Sequence, residues 1–249
     1  MPPWWGKEVS DLRIALTLAV LAGLAMVVAA CGSGEGSPKV QITPLAPTPS
    51  PVAEPTATAA VTGVQGFLFP IEGACLPSDD TLMPNAAREY RNGIHQGVDF
   101  YGVDNCVSIV GGTPVRAVKA GRVIRATLDY HDLTWDELET LNERLAQGEA
   151  NDPDILDTFR GRQVWVDHGG GLVTRYAHLD SIASGIAVGV TVEAGQELGY
   201  VGESGTPESL TAPGTENHLH FEIWVGDHYL GQGLPPEEVR ALYEKAFSP

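Results

Sequence analysis

From Val64 onward, glycine repeatedly cuts the apolar stretches short, and that spacing limits what the chain can fold into. The clearest case is the triple glycine Gly169, Gly170 and Gly171, with RQVWVDH (162–168) before it and LVTRYAHL (172–179) after it. That reads as strand, turn, strand. PVRAV and RVIRAT are joined by KAG in the same way (114–127), VTVEAGQELGYVG (190–202) is a third unit, and HLHFEIWV (218–225) is a final strand. Frequent short strands with Gly-containing turns predict a mainly β fold, an antiparallel sandwich or barrel-like domain. No G-x-G-x-x-G opens a helix and there is no P-loop, so the nucleotide-binding architectures built on those motifs are not expected.

One segment breaks the pattern. Residues 128–160 are acidic, and Leu133, Leu138, Leu141 and Leu145 recur at helical spacings. Thr134 with Glu137 three residues on has the form of a capping box. This predicts a helical insertion between two strands, either a lid or substrate-selecting wall over a site, or a solvated decoration. A short helix is also predicted at PPEEVRALYEKAF (235–247), with proline at its start and acids in its first turn.

The folded part, 63–249, follows a very different tract. From Gly32 to about Thr62 the chain is rich in Pro, Thr, Ala and Ser and nearly free of large apolar residues. It cannot bury a core, so 31–62 is expected to be a disordered or polyproline-like tether. Extended at about 3.1 Å per residue, it reaches roughly 90 Å.

Before the tether comes an uncharged apolar run, IALTLAVLAGLAMVVAAC, ending at Cys31. Its length and its small terminal residues suit a secretory signal segment over 1–30. VAAC (28–31) resembles a bacterial lipobox, which implies lipidation of Cys31 and anchoring to a membrane. An uncleaved signal anchor is the alternative. Both place the rest of the chain outside the cytoplasm. The formal net charge is −17, and Lys7 and Arg13 cancel Glu8 and Asp11 in the first thirty residues. So acidic a chain is not expected to bind nucleic acid, which needs clustered Lys and Arg. Membrane attachment must then be hydrophobic or covalent. Of the three cysteines, Cys75 and Cys106 remain once Cys31 is set aside. In an oxidising compartment they are expected to form a disulfide.

Three local patterns can carry chemistry. In GIHQGVDFYG (93–102), His95 and Asp99 offer nitrogen and oxygen ligands of the kinds zinc takes. Gly93 and Gly97 suggest a turn entering a strand there. In RYAHL (175–179), strand alternation puts Tyr176 and His178 on one face, opposite Ala177 and Leu179. In ENHLHFEIW (216–224), His218, His220 and Glu222 share one face, opposite Leu219, Phe221 and Ile223. The apolar face belongs to the core, and the histidine face opens onto a cleft or solvent. Each pattern alone is common on ordinary strands.

Together HQGVD (95–99), YAHL (176–179) and HLH (218–220) resemble, in order, the marks of the lysostaphin/LytM-type zinc endopeptidases of bacterial peptidoglycan. The turns AVKAGRV (117–123) and VEAGQELGYVG (192–202) and the stretch DHGGGLVTRYAHL (167–179) are similar too. The resemblance covers about 66–226; the insertion at 128–160 departs from the compact family pattern. It implies the family's duplicated hybrid motif fold and one Zn2+ held by His95, Asp99 and His220. It also implies His178 and His218 as unligated catalytic residues, with their two tasks undivided. The implied activity is hydrolysis of peptidoglycan peptides through a zinc-activated water assisted by these two histidines. The alternative is a catalytically silent scaffold or activator of other cell-wall hydrolases. His168 reads as a structural or supporting residue, and His131 and His228 receive no role.

Overall fold

The computed structural model describes residues 63–249. Cys31, the expected signal segment 1–30 and the tether 31–62 lie outside the described residues. Along the chain come β1 (Ala87–Arg88), β2 (Gly93–Ile94), β3 (Val98–Phe100), β4 (Pro114–Arg116) and β5 (Gly121–Ala126). The helices α1 (Trp135–Ala146) and α2 (Pro153–Arg160) follow. Next are β6 (Val164–Asp167), β7 (Leu172–Ala177), β8 (Leu179–Ile182), β9 (Thr191–Val192), β10 (Glu197–Val201) and the one-turn helix α3 (Glu208–Thr211). The chain ends with β11 (Leu219–Val225), β12 (His228–Tyr229) and α4 (Pro236–Ala246). Among the described residues no helix is long and apolar enough to cross a membrane.

Two antiparallel sheets share one core. The smaller has the order β4-β10-β8. The larger has the order β12-β11-β7-β6-β5-β9, with β3 also paired to β11. Neither closes into a barrel. Val115, Leu198 and Val201 of the small sheet and Val123, Val166, Tyr176, Phe221 and Ile223 of the large one are fully buried in this core. Each such side chain stabilises the fold by about 1.5–3 kcal/mol. Val239, Tyr243 and Ala246 of α4 pack into the same core, as the helix expected at 235–247 requires.

The strand-turn-strand unit expected around the triple glycine forms, and it is a hairpin: β6 pairs with β7, and Gly169, Gly170 and Gly171 all have φ between 63° and 82°. Three successive left-handed residues are strained for any side chain and free for glycine. The other two strand-turn-strand units are not hairpins. β4 and β5 lie in different sheets, and so do β9 and β10. Their Gly turns carry the chain from one sheet to the other, so Val115 and Val123 enter the shared core from opposite sides.

The insertion is helical, as its leucine spacing predicts. Thr134 accepts from the Glu137 N–H, and Glu137 accepts from the Thr134 N–H, completing the capping box. Leu133, Leu138, Leu141, Leu145, Ile155 and Phe159 form a small core of their own. The segment is fastened to the body by Arg125, whose guanidinium grips both oxygens of Asp157 at 2.7 and 2.6 Å. Arg91 also donates to the carbonyl of Ala150.

Cys75 and Cys106 form a disulfide, with Cα atoms 5.6 Å apart. Beside it, fully buried Asn105 donates to the Cys75 carbonyl and accepts from the Tyr101 N–H, both at 2.8 Å. The crosslink thus braces the loop that carries Tyr101.

Candidate metal centre

Strand register builds the site. His220 of β11 lies opposite Asp99 of β3 on one side and Ala177 of β7 on the other. Cross-strand partners share a face, so Asp99 and His220 emerge together. His95 comes from the turn between β2 and β3 and is anchored by its own N–H to the Ala86 carbonyl. Gly97 lets that turn press on β11, since a Cβ there would lie 2.4 Å from the Phe221 carbonyl oxygen.

His95 Nε2, Asp99 Oδ1 and His220 Nδ1 converge. The separations are 3.0 Å between the two nitrogens, 3.0 Å from His95 to Asp99 and 2.8 Å from His220 to Asp99. All three residues are buried, and the trio has the make-up and closeness of a metal-binding group. Ligand bonds of about 2.0–2.2 Å in a tetrahedral arrangement put neighbouring donor atoms roughly 3.3 Å apart, so the trio needs only slight expansion to enclose zinc.

The supporting hydrogen bonds fit a cation. His95 Nδ1 lies 3.0 Å from the Met83 carbonyl oxygen, which can only accept, so this nitrogen carries the proton. His220 Nε2 lies 2.9 Å from Glu222 Oε1 and donates to it in the same way. The lone pairs of His95 Nε2 and His220 Nδ1 then face each other beside a carboxylate oxygen. Three converging lone pairs repel unless a positive charge lies between them. Histidines that donate their second nitrogen to a carbonyl or carboxylate are the usual form of metal-ligating imidazole. The remaining oxygen of Asp99 accepts from Arg88 Nη2 at 2.6 Å.

The titration behaviour follows from burial and these partners. Burial pushes His95 down to about 4, opposed in part by Asp99. Burial also works against the ionised forms of Asp99 and Glu222. Both nevertheless lie well below the usual carboxylate range: the adjoining imidazoles of His95 and His220 outweigh it for Asp99, and Arg160, His220 and Arg175 outweigh it for Glu222. For His220, burial opposes protonation, but the carboxylates of Asp99 and Glu222 on either side of the ring overcome it and raise the group.

His178 and His218 stand beside the trio. Their ring centroids are 4.6 Å apart, and that of His178 is 5.7 Å from that of His220. His178 Nδ1 donates to the Ser204 carbonyl at 2.9 Å, and His218 Nδ1 donates to the Glu216 carbonyl at 2.6 Å. In each ring Nε2 is therefore left with the lone pair. His218 Nε2 is 3.8 Å from Asp99 Oδ1. Burial lowers both residues, His178 well below its ordinary value, so neutral imidazole is favoured in both.

One sequence expectation needs correction. Tyr176 and His178 do not share a face. Tyr176 pairs with Phe221 on the core side, and its hydroxyl accepts from the Val118 N–H. Ala177, paired with His220, is the residue on the site's side of β7. His178 reaches that side because its φ of 59° reverses the alternation, a left-handed residue between β7 and β8. Of the two outcomes expected for the His218–His220–Glu222 face, cleft or solvent, the structure shows the cleft. Glu222 is completely buried, because Arg160 of α2 and Arg175 of β7 cover it.

The five predicted residues line one cleft of about 350 Å³, whose wall also includes Tyr90, Leu156, Phe159 and Glu208. Sequence reasoning missed Arg88, Arg160 and Tyr101, the last stacked on His218 at 4.4 Å between centroids. A buried glutamate on the histidine face calls for a cation, but nothing in the sequence says which arginine supplies it. His168 is structural, bridging the Ala120 carbonyl and Thr174, and is not among the residues lining the cleft.

Residues 146–231 match the family model of peptidase family M23. This segment holds His178, His218 and His220, while His95 and Asp99 precede it. No curated protein matches the chain. The chain is similar to a zinc-containing peptidase from Vibrio cholerae, at 21% identity and a TM-score of 0.43, covering 69% of this chain and 41% of that one. It is also similar to the catalytic domain of lysostaphin from Staphylococcus simulans, at 26% identity and a TM-score of 0.34, covering 55% of this chain and 71% of that one. A third is the catalytic domain of the prophage-encoded M23 protein EnpA from Enterococcus faecalis, at 19% identity and a TM-score of 0.36, with 65% and 95% covered. This chain thus spans less than half the length of the Vibrio protein. The match to peptidase family M23 thus falls on the segment that carries YAHL and HLH, two of the three motifs that resemble the lysostaphin-like peptidases.

Proposed function

We propose that the protein is a zinc-dependent endopeptidase that hydrolyses peptide bonds in bacterial peptidoglycan. The observation that carries this reading is the convergence of His95 Nε2, Asp99 Oδ1 and His220 Nδ1 within 3.0 Å of one another, with His178 and His218 alongside. His95, Asp99 and His220 would hold one Zn2+, which when bound would supply Lewis acidity toward the scissile carbonyl and make water a usable nucleophile at neutral pH.

The chain's own residues move the protons. His178 and His218 each keep Nδ1 on a backbone carbonyl, which fixes the tautomer and leaves Nε2 able to accept. One takes the proton of the attacking water. That proton then passes to the leaving amine, from the same ring or through the other, and the ring that holds it meanwhile stabilises the oxyanion. Tyr101, stacked on His218, holds that ring in place.

The reading places the protein outside the cytoplasm, held to the membrane by a lipid on Cys31 or by an uncleaved signal anchor. The Cys75–Cys106 disulfide supports an oxidising compartment. Peptidoglycan peptides are the partner. The test is metal content and turnover measured together. Wild-type protein should bind one zinc and release peptides from peptidoglycan, and a chelator should abolish release until zinc is restored. Turnover that persists after complete removal of metal would contradict the reading.

A further inference from the structure

We propose that Arg160, the last residue of α2, is a positioning residue for the metal centre, so that the insertion is a fixed part of the site. This rests on the zinc reading above. Glu222 Oε1 is shared by two donors, His220 Nε2 at 2.9 Å and Arg160 Nε at 2.7 Å. The other oxygen, Oε2, is held separately by Trp224 Nε1 and by Arg175 at 3.2 Å. Arg175 in turn lies between the rings of Trp165 and Trp224, at 3.9 and 4.0 Å. Arg160 is thus the cation on the oxygen that orients the His220 ring.

Arg160 reaches the neighbours of the other site residues as well. Its Nη2 donates to Gln96 Oε1 at 2.6 Å, beside His95, and its carbonyl accepts the His178 N–H at 2.9 Å. One residue therefore ties the insertion to the surroundings of His95, His178 and His220. The chain just after it is locked too. Gly161 has a φ of 64°, and a Cβ there would lie 2.1 Å from the Ser204 carbonyl, the same carbonyl that receives His178 Nδ1. A lid has to part from the site it covers. Here parting would strip buried Glu222 of a charge partner and leave His178 without its backbone acceptor, which is costly for buried groups.

The test compares zinc affinity, by competition with a chromophoric chelator, and the visible spectrum of the cobalt-loaded protein. It uses the full chain, with circular dichroism identifying folded variants. Arg160→Met should weaken zinc by about 10-fold or more, the usual effect of losing a partner behind a ligand, and should shift the cobalt spectrum. Arg160→Lys, whose single ammonium cannot hold Glu222 and Gln96 together, should fall between Arg160→Met and wild type. If the methionine variant does not fold, a lysine variant weaker than wild type carries the same comparison. Asp157→Asn loosens the insertion through Arg125 without touching Glu222 and should bind zinc as wild type does. Wild-type affinity in Arg160→Met or Arg160→Lys, or an equal loss in Asp157→Asn, would overturn the proposal. A wild-type protein that binds no zinc would overturn the site reading along with it.

Discussion

His220 Nε2 lies 2.9 Å from Glu222 Oε1, with both side chains on the same face of β11. This contact decides which nitrogen of His220 faces Asp99 and His95. Glu222→Gln preserves the shape but can present an N–H to the ring, which then turns its own proton toward the trio. Zinc affinity should fall by about 10-fold, read by competition with a chelator. An unchanged affinity would show that the tautomer of His220 is set elsewhere.

His218 and His220 are two residues apart and should fail differently when removed. His220→Ala loses a ligand and should lose stoichiometric zinc. His218→Ala removes a proton carrier and should retain zinc while turnover drops by roughly 100-fold or more. His178→Ala should behave like His218→Ala. Metal analysis of the purified variants beside their turnover checks the division. Zinc retained in His220→Ala, or normal turnover in His218→Ala, would reverse the assignment.

Much of the placement of these residues was legible in the sequence, whereas the division of their roles rests on the resemblance. Period-two alternation put His218, His220 and Glu222 on one face of a strand, and the leucines of the insertion announced its helices. Two features were not legible, for definite reasons. The left-handed φ of His178 inverts the alternation that the surrounding residues obey, and no residue type signals it. The arginine behind Glu222 comes from 62 positions away, a contact that depends on how α2 docks rather than on any local pattern. The same limit applied to the Gly turns near 119 and 195. Their sequences mark a reversal of the chain but not which sheet receives the next strand.

Tyr101 is stacked on His218 with an interplanar angle of 11°, and its hydroxyl donates to Glu216 at 2.9 Å. The Glu216 carbonyl in turn accepts from His218. Tyr101→Phe keeps the stack and should stay close to wild type. Tyr101→Ala frees the ring and should lower kcat by about 10–100-fold, as small misplacements at reacting groups do, with zinc content unchanged. Equal kcat for the two variants would mean that the stack does not position His218.

The Cys75–Cys106 disulfide crosslinks residues 31 apart. In the chain-entropy picture a loop of this size stabilises the fold by about 3–4 kcal/mol. The double replacement Cys75→Ser, Cys106→Ser should therefore lower the thermal midpoint clearly in the absence of reductant. Thiol titration of the native protein should find neither cysteine reactive. Two reactive thiols at these positions would contradict the crosslink.

The most direct test of the account is the mass of what the protein makes from defined muropeptides. The zinc-loaded protein should convert a cross-linked or stem peptide into two fragments whose masses sum to that of the substrate plus one water. His218→Ala, with its zinc retained, should leave the substrate intact. Stoichiometric zinc in the wild-type protein with every muropeptide uncut would contradict the peptidase reading and mark the protein as a metal-binding scaffold.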